Sequence, residues 1–168
     1  MPKTPKIIII ANQIRSLYNI GSIFRTCDAI GAEKLYLSGY TATPKSQPIR
    51  LAKTALGAEK AVPWEKILTI APTLKKLKTL GYKIIGLELN KRKSIDYRAW
   101  KPTNKTVLIL GNEVTGIPPR LQKQCDKIVH LPMLGVKNSL NVSVAFGAIA
   151  YYNLAKDNEK IKIIKNSP

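Results

Sequence analysis

The chain has 168 residues, 45% of them hydrophobic, which suits one compact domain with a core of its own and leaves little room for a second. Lys and Arg number 28 against 10 Asp and Glu, a formal net charge of +18 that points to a polyanionic partner. No stretch approaches the roughly 20 apolar residues of a spanning helix, and the N-terminus lacks the layout of a signal peptide, so nucleic acid in the cytoplasm is expected rather than a membrane.

In chain order, the β-branched run "KIIII" (6–10) predicts a strand. The stretch "NIGSIFRTCDAIG" (19–31) then places Ile20, Ile23, Phe24, Cys27 and Ile30 on one helical face, with Asn19 as N-cap and Gly31 as stop. A second strand follows at 34–38. The segment 40–66 holds three prolines and mixes short helical and loop signals; it reads as a long functional connection. A helix is expected at about 68–80, a strand at 83–89, a basic cluster "NKRKS" at 90–94 and a strand at 106–110. A short helix near 118–124, a strand at 127–131 and a helix from about 139 to 155 complete the pattern. Continuous apolar strands alternating with helices predict an α/β fold: a mostly parallel sheet with helices on both faces. The division expected is one domain over 1–155 and a basic tail over 156–168.

Cys27 and Cys125 belong to no CxxC and read as reduced, buried thiols. His130 is the sole histidine, so a histidine-based triad or metal site is not expected, and His130 reads as structural. Neither a GxGxxG fingerprint nor a GxxxxGK[ST] loop is present.

Three segments that follow predicted strands carry polar residues and glycines where open parallel sheets bind ligands. "NQIRSLYNIGSIFR" (12–25) spaces Asn12, Arg15, Asn19, Gly21 and Arg25 through a loop into a helix, where amides and guanidinium groups can hold a phosphate or sugar. The plainer alternative is that Asn19 only caps the helix and Arg25 only pairs with Asp28. "LGNEVTGIPP" (110–119) sets Glu113 between Gly111 and Gly116; a plain turn needs only one of those glycines. In "HLPMLGVKNSLNVSVAFGAIAYY" (130–152), Asn138, Ser139, Asn141 and Ser143 exceed what helix capping requires. Beyond them Val142, Val144, Ala145, Phe146, Ala148 and Ile149 make the helix apolar nearly all round. Such a helix needs cover on several sides, which suggests a second copy and a homodimer.

Taken together, these three segments resemble the signature motifs of the SpoU/TrmH branch of SPOUT RNA methyltransferases, over about residues 6–155. The resemblance implies S-adenosylmethionine-dependent methylation of a ribose 2′-hydroxyl in RNA, tRNA favoured over rRNA, by a homodimer with a C-terminal trefoil knot. By motif it implies cofactor contacts at Leu87, Gly111, Leu131, Met133, Ser139 and Leu140. Asn19, Arg25, Glu113, Ser139 and Asn141 match the active-site positions. Larger relatives carry an additional RNA-binding domain; here Arg15, Arg25, Lys91, Arg92, Lys93 and the tail lysines are expected to hold RNA on the domain's own surface. The alternatives are the same chemistry on rRNA, methylation of a base or small molecule, and a non-catalytic RNA-binding or ribosome-assembly protein of the same fold.

Overall fold

Four consecutive isoleucines, Ile7 to Ile10, set the middle of the molecule, because a strand sends alternate side chains to opposite faces and this run demands cover on both. In the computed structural model, which describes residues 5–157, they form β1 (Lys6–Asn12). Ile7, Ile9 and Ala11 join one buried cluster and Ile8 and Ile10 another. The chain continues through α1 (Leu17–Ala29), β2 (Lys34–Ser38), α2 (Pro48–Ala55), α3 (Ala58–Ala61), β3 (Trp64–Ile67), α4 (Ala71–Thr79) and β4 (Lys83–Leu87). Then come β5 (Ser94–Asp96), β6 (Lys105–Leu110), α5 (Pro119–Gln122), β7 (Lys127–His130) and α6 (Val142–Asp157). All strand pairs are parallel, in the order β3-β2-β1-β6-β4-β7-β5. Residues of α1, α2, α3 and α6 build the core on one face, and those of α4 and α5 on the other.

Several expectations change. The segment 40–66 is no loop: Pro48 opens α2, whose Leu51 and Ala55 bury against α1, and β3 forms the sheet edge beside β2. An edge strand is solvated on one side, so "WEKI" carries charge and no apolar run. The cluster at 90–94 leads into β5, a three-residue strand at the opposite edge. Helix α1 begins at Leu17 under Ser16, whose hydroxyl accepts the Asn19 N–H at 3.3 Å, so Asn19 is not the cap but lies inside the helix, buried. Gly31 does end that helix, with φ +61°. Arg25 is exposed and makes no ion pair with Asp28 among the described residues. Cys27 is fully buried and burial pushes its thiol well above the ordinary range, whereas Cys125 is only half-buried and is pushed up to about 11. Helix α6 starts at Val142, not 139, and turns Phe146, Ile149 and Ala150 into the core; Val144 and Tyr151 on its outer side are each 55% exposed. The end of the basic tail falls outside the described residues.

Helix α1 comes so close to α2 at Gly21 that a Cβ there would run into the Thr54 side chain and sit 2.8 Å from its carbonyl carbon. Gly21→Ala is therefore expected to part the two helices at a cost of about 1–3 kcal/mol, as overpacked cores show. A lower midpoint of urea unfolding at unchanged slope measures it.

Candidate active site

The loops leaving β1, β4, β6 and β7 meet at the carboxyl ends of the central strands, as expected for open parallel sheets. The loop after β6 is a tight turn closed by reciprocal backbone hydrogen bonds between Asn112 and Gly116 (3.2 and 2.9 Å). The Asn112 Oδ1 accepts the N–H groups of Val114 and Thr115, both at 2.9 Å. Both glycines of this turn are needed. A Cβ on Gly111 would lie 2.5 Å from the Gly116 carbonyl carbon, and Gly116, at φ +64°, would drive one into the Glu88 carboxylate. Glu88 in turn accepts the Ile117 N–H at 2.7 Å and fastens the turn to the end of β4.

Glu113 projects from this turn to the loop after β1. Its two oxygens accept the backbone N–H groups of Arg15 and Ser16, each at 3.0 Å, and the Asn19 Nδ2 at 2.9 Å. The Asn19 Oδ1 accepts the Asn141 Nδ2 at 3.1 Å, and the Asn141 Oδ1 caps α6 by accepting the Ser143 N–H at 2.9 Å. One hydrogen-bonded line thus runs from the second segment through the first to the third. Burial raises the Glu113 pKa, but the hydrogen bonds from Arg15, Ser16 and Asn19 outweigh that and hold it below the usual carboxylate value.

Beside this line opens a cleft of about 660 Å³, within the usual range for small-molecule sites. Leu87, Gly111, Leu131, Met133, Ser139 and Leu140 all line it, as do Glu113, Asn141 and Lys91. Asn19 stands behind Glu113 and Asn141 rather than on the wall. Arg25 is not on the wall either: six residues advance a helix by about 240°, so an inward Asn19 turns Arg25 away. Arg15 touches the site only through its backbone, and Arg92 and Lys93 are exposed outside the cleft lining. Glu88, Asn112 and His130 also line the cleft and had not been singled out as site residues. Glu88 alone left a signal, a carboxylate in the otherwise apolar "IIGLEL".

An α/β chain with a cleft built from loops at the carboxyl edge defines the class, a ligand-binding domain on an open parallel sheet. The SpoU rRNA Methylase family model matches residues 6–151, and the chain belongs to this SpoU/TrmH family of RNA methyltransferases. It is 37% identical over 154 residues to the tRNA (guanosine(18)-2′-O)-methyltransferase of Aquifex aeolicus, covering 92% of this chain and 71% of that protein. A putative TrmH family tRNA/rRNA methyltransferase of Bacillus subtilis is 31% identical, with 89% of this chain and 59% of that one covered. The chain thus spans little more than half the length of the Bacillus relative. Among solved structures, the A. aeolicus TrmH/SpoU tRNA modifying enzyme superposes with a TM-score of 0.83 at 33% identity, over 95% of this chain and 79% of that one. The AdoMet-bound rRNA methyltransferase of Sinorhizobium meliloti does so with 0.81 at 27%, over 90% and 57%.

S-adenosylmethionine is the cofactor of this family, and the residues present suit it. Leu87, Leu131 and Met133 offer apolar wall for a base, and the glycine turn opens backbone to the cleft. The His130 Nδ1, on the same wall, is buried with no hydrogen-bond partner among the described residues, an orphaned polar atom of the kind a bound ligand satisfies.

A carboxyl held below its unfolded value contributes stability above the unfolded pKa, roughly 4.3, and loses it as the pH falls through the folded value. Hydrogen exchange at the Arg15 and Ser16 amides is therefore expected to be protected near neutrality and to lose that protection in acid. Glu113→Gln should remove the acid step.

Proposed function

We propose that the chain methylates a ribose 2′-hydroxyl of tRNA and works in the cytoplasm as a homodimer. The observation that carries this reading is the Glu113–Asn19–Asn141 line, which fixes all three sequence segments against one nucleoside-sized cleft. Bound S-adenosylmethionine supplies an electrophilic methyl group. What remains for the protein is alignment, proton removal and charge stabilisation.

Glu113 is a positioning residue and not the base: three N–H groups already engage its carboxylate, and its lowered pKa disfavours proton uptake. Asn141, braced from behind by Asn19, presents the surface against which the nucleotide is oriented, with Ser139 and Leu140 beside it. A guanidinium is a poor proton acceptor, so Arg25 serves as a cation. It binds the neighbouring phosphate and stabilises alkoxide charge as it develops, while the proton leaves through water or phosphate.

A homodimer accounts for two features at once, the apolar outer side of α6 around Val144 and Tyr151 and the position of Arg25 away from its own protomer's cleft. Arg25 then serves the cleft of the partner protomer. Lys91, Arg92, Lys93 and Arg15 supply phosphate contacts, helped by the overall charge of +18. The trefoil knot is supported by β7 lying between β4 and β5, since the chain must re-enter beside a connection already made. The choice of tRNA rests on the A. aeolicus relative; rRNA is the second reading, favoured by the name of the family and by the S. meliloti structure.

Purified protein with labelled S-adenosylmethionine and unmodified tRNA or rRNA is expected to yield a 2′-O-methyl nucleoside from the tRNA pool, identified by mass after digestion. Methyl transfer persisting on 2′-deoxy substrate would overturn the ribose assignment. Arg25→Lys should lower turnover at least tenfold, about 1.4 kcal/mol of barrier, and leave cofactor binding intact. Mixed with Asn19→Ala protomers, Arg25→Ala protomers should regain activity if the two residues serve one cleft from different chains.

A further inference from the structure

A second cavity, of about 770 Å³, opens between the loop that follows β2 and the edge strand β3, inside the segment 40–66 that the cleft leaves unused. Its walls combine two aromatic rings with two ammonium groups: Tyr40, 57% exposed, the half-buried Trp64, and Lys45 and Lys66. Glu65 also lines it, but the Lys34 ammonium holds that carboxylate at 2.5 Å, so the uncompensated charge of the walls is positive. The Lys66 Nζ donates to the Thr41 carbonyl at 2.6 Å, a bond between two lining residues that already orders this side chain before binding. Aromatic faces beside lysines suit one kind of ligand well, a nucleobase with its phosphate.

This cavity is joined to the cleft. The Asn112 Nδ2, from the cleft wall, donates to the Tyr40 hydroxyl at 2.7 Å and to the Gln13 carbonyl at 2.8 Å. One hydrogen bond thus links a wall residue of the cleft to a wall residue of the second cavity. We propose that the cavity formed by Tyr40, Lys45, Trp64 and Lys66 is a second nucleotide subsite, which takes an unpaired RNA residue flanking the one whose ribose enters the cleft. The proposal rests on the methyltransferase reading for its register along the RNA, but not for the ligand class. The base stacks on the exposed Tyr40 ring with Trp64 at its edge, and the phosphate lies between Lys45 and Lys66. Asn112 then holds the stacking platform at a fixed distance from the methylated position.

The chain has two tryptophans, and Trp100 is 2% exposed in the core, so a ligand that changes tryptophan emission reports on Trp64. The full-length protein is titrated with a single-stranded RNA hexanucleotide of mixed sequence, with methyl transfer to the RNA pools read on the same preparation. Saturable quenching is expected. Tyr40→Phe keeps the ring, loses only the bond to Asn112 and should retain the affinity, whereas Tyr40→Ala should weaken it between roughly fivefold and a hundredfold, the range of one base stack. Lys45→Ala should lower the slope of log affinity against log salt by about 0.7, the share of one single-strand phosphate contact. Absence of quenching, equal losses in Tyr40→Phe and Tyr40→Ala, or an unchanged salt slope overturns the subsite. Methyl transfer without quenching overturns the subsite alone; quenching with no methyl transfer counts against the enzyme reading and leaves the nucleotide site standing.

Discussion

The Glu113 carboxylate is the constraint on which the site depends. A charged acceptor with two oxygens can engage several donors at once, and each such bond is stronger than its neutral counterpart. Here it gathers two backbone N–H groups before α1 and the amide of Asn19 within it. The loop after β1 is therefore held in place from outside, by a residue nearly a hundred positions away in the chain. The same loop includes Gln13 at φ 55°, an unfavourable conformation for a residue with a side chain, and its carbonyl is held by Asn112 from the same turn. Two neighbours, Asn112 and Glu113, thus fix one strained connection from two sides.

The turn that carries them is rigid for its own reasons. Gly111 and Gly116 approach so closely that neither admits a side chain, and the Glu88 carboxylate ties the turn to β4. The cleft wall at this point is backbone fixed by backbone. Opposite it, residues 134–140 are exposed throughout, with Leu134 and Val136 in open solvent, and are anchored at the far end by Asn141. One wall is braced by its own backbone, and the other lies exposed along its length.

How far the sequence foretells this varies with the range of the interaction. The isoleucines of β1 and the face Ile20, Ile23, Phe24 and Cys27 of α1 announce themselves because strand and helix periods are local. β3 and β5 stayed hidden because edge strands need no apolar run, and Glu65, Lys66 and Asp96 look like loop residues. The start of α1 was misplaced because Ser16 and Asn19 are both competent caps; only the fold shows that Asn19 turns inward to Glu113 and Asn141 instead. Those ties span 94 and 122 residues, beyond any periodicity. The segments that line the cleft are legible as polar, glycine-bearing stretches after predicted strands, and their family resemblance adds the roles; those of Glu88 and Asn112 depend on which backbone groups come within reach after folding.

Charge and apolar surface then pull the molecule in opposite directions. Two copies of a +18 chain repel one another, so a dimer has to be held by contacts that desolvate carbon, such as the outer side of α6. RNA binding draws on the same excess charge with the opposite sign, because each phosphate neutralised releases counterions. Added salt screens both effects: it eases the approach of two protomers and weakens their hold on RNA. Bound RNA offsets the repulsion directly, since a polyanion lying across both protomers cancels the charge that keeps them apart. In the proposed homodimer, substrate and partner would therefore favour each other's binding through electrostatics alone, with no change of shape required.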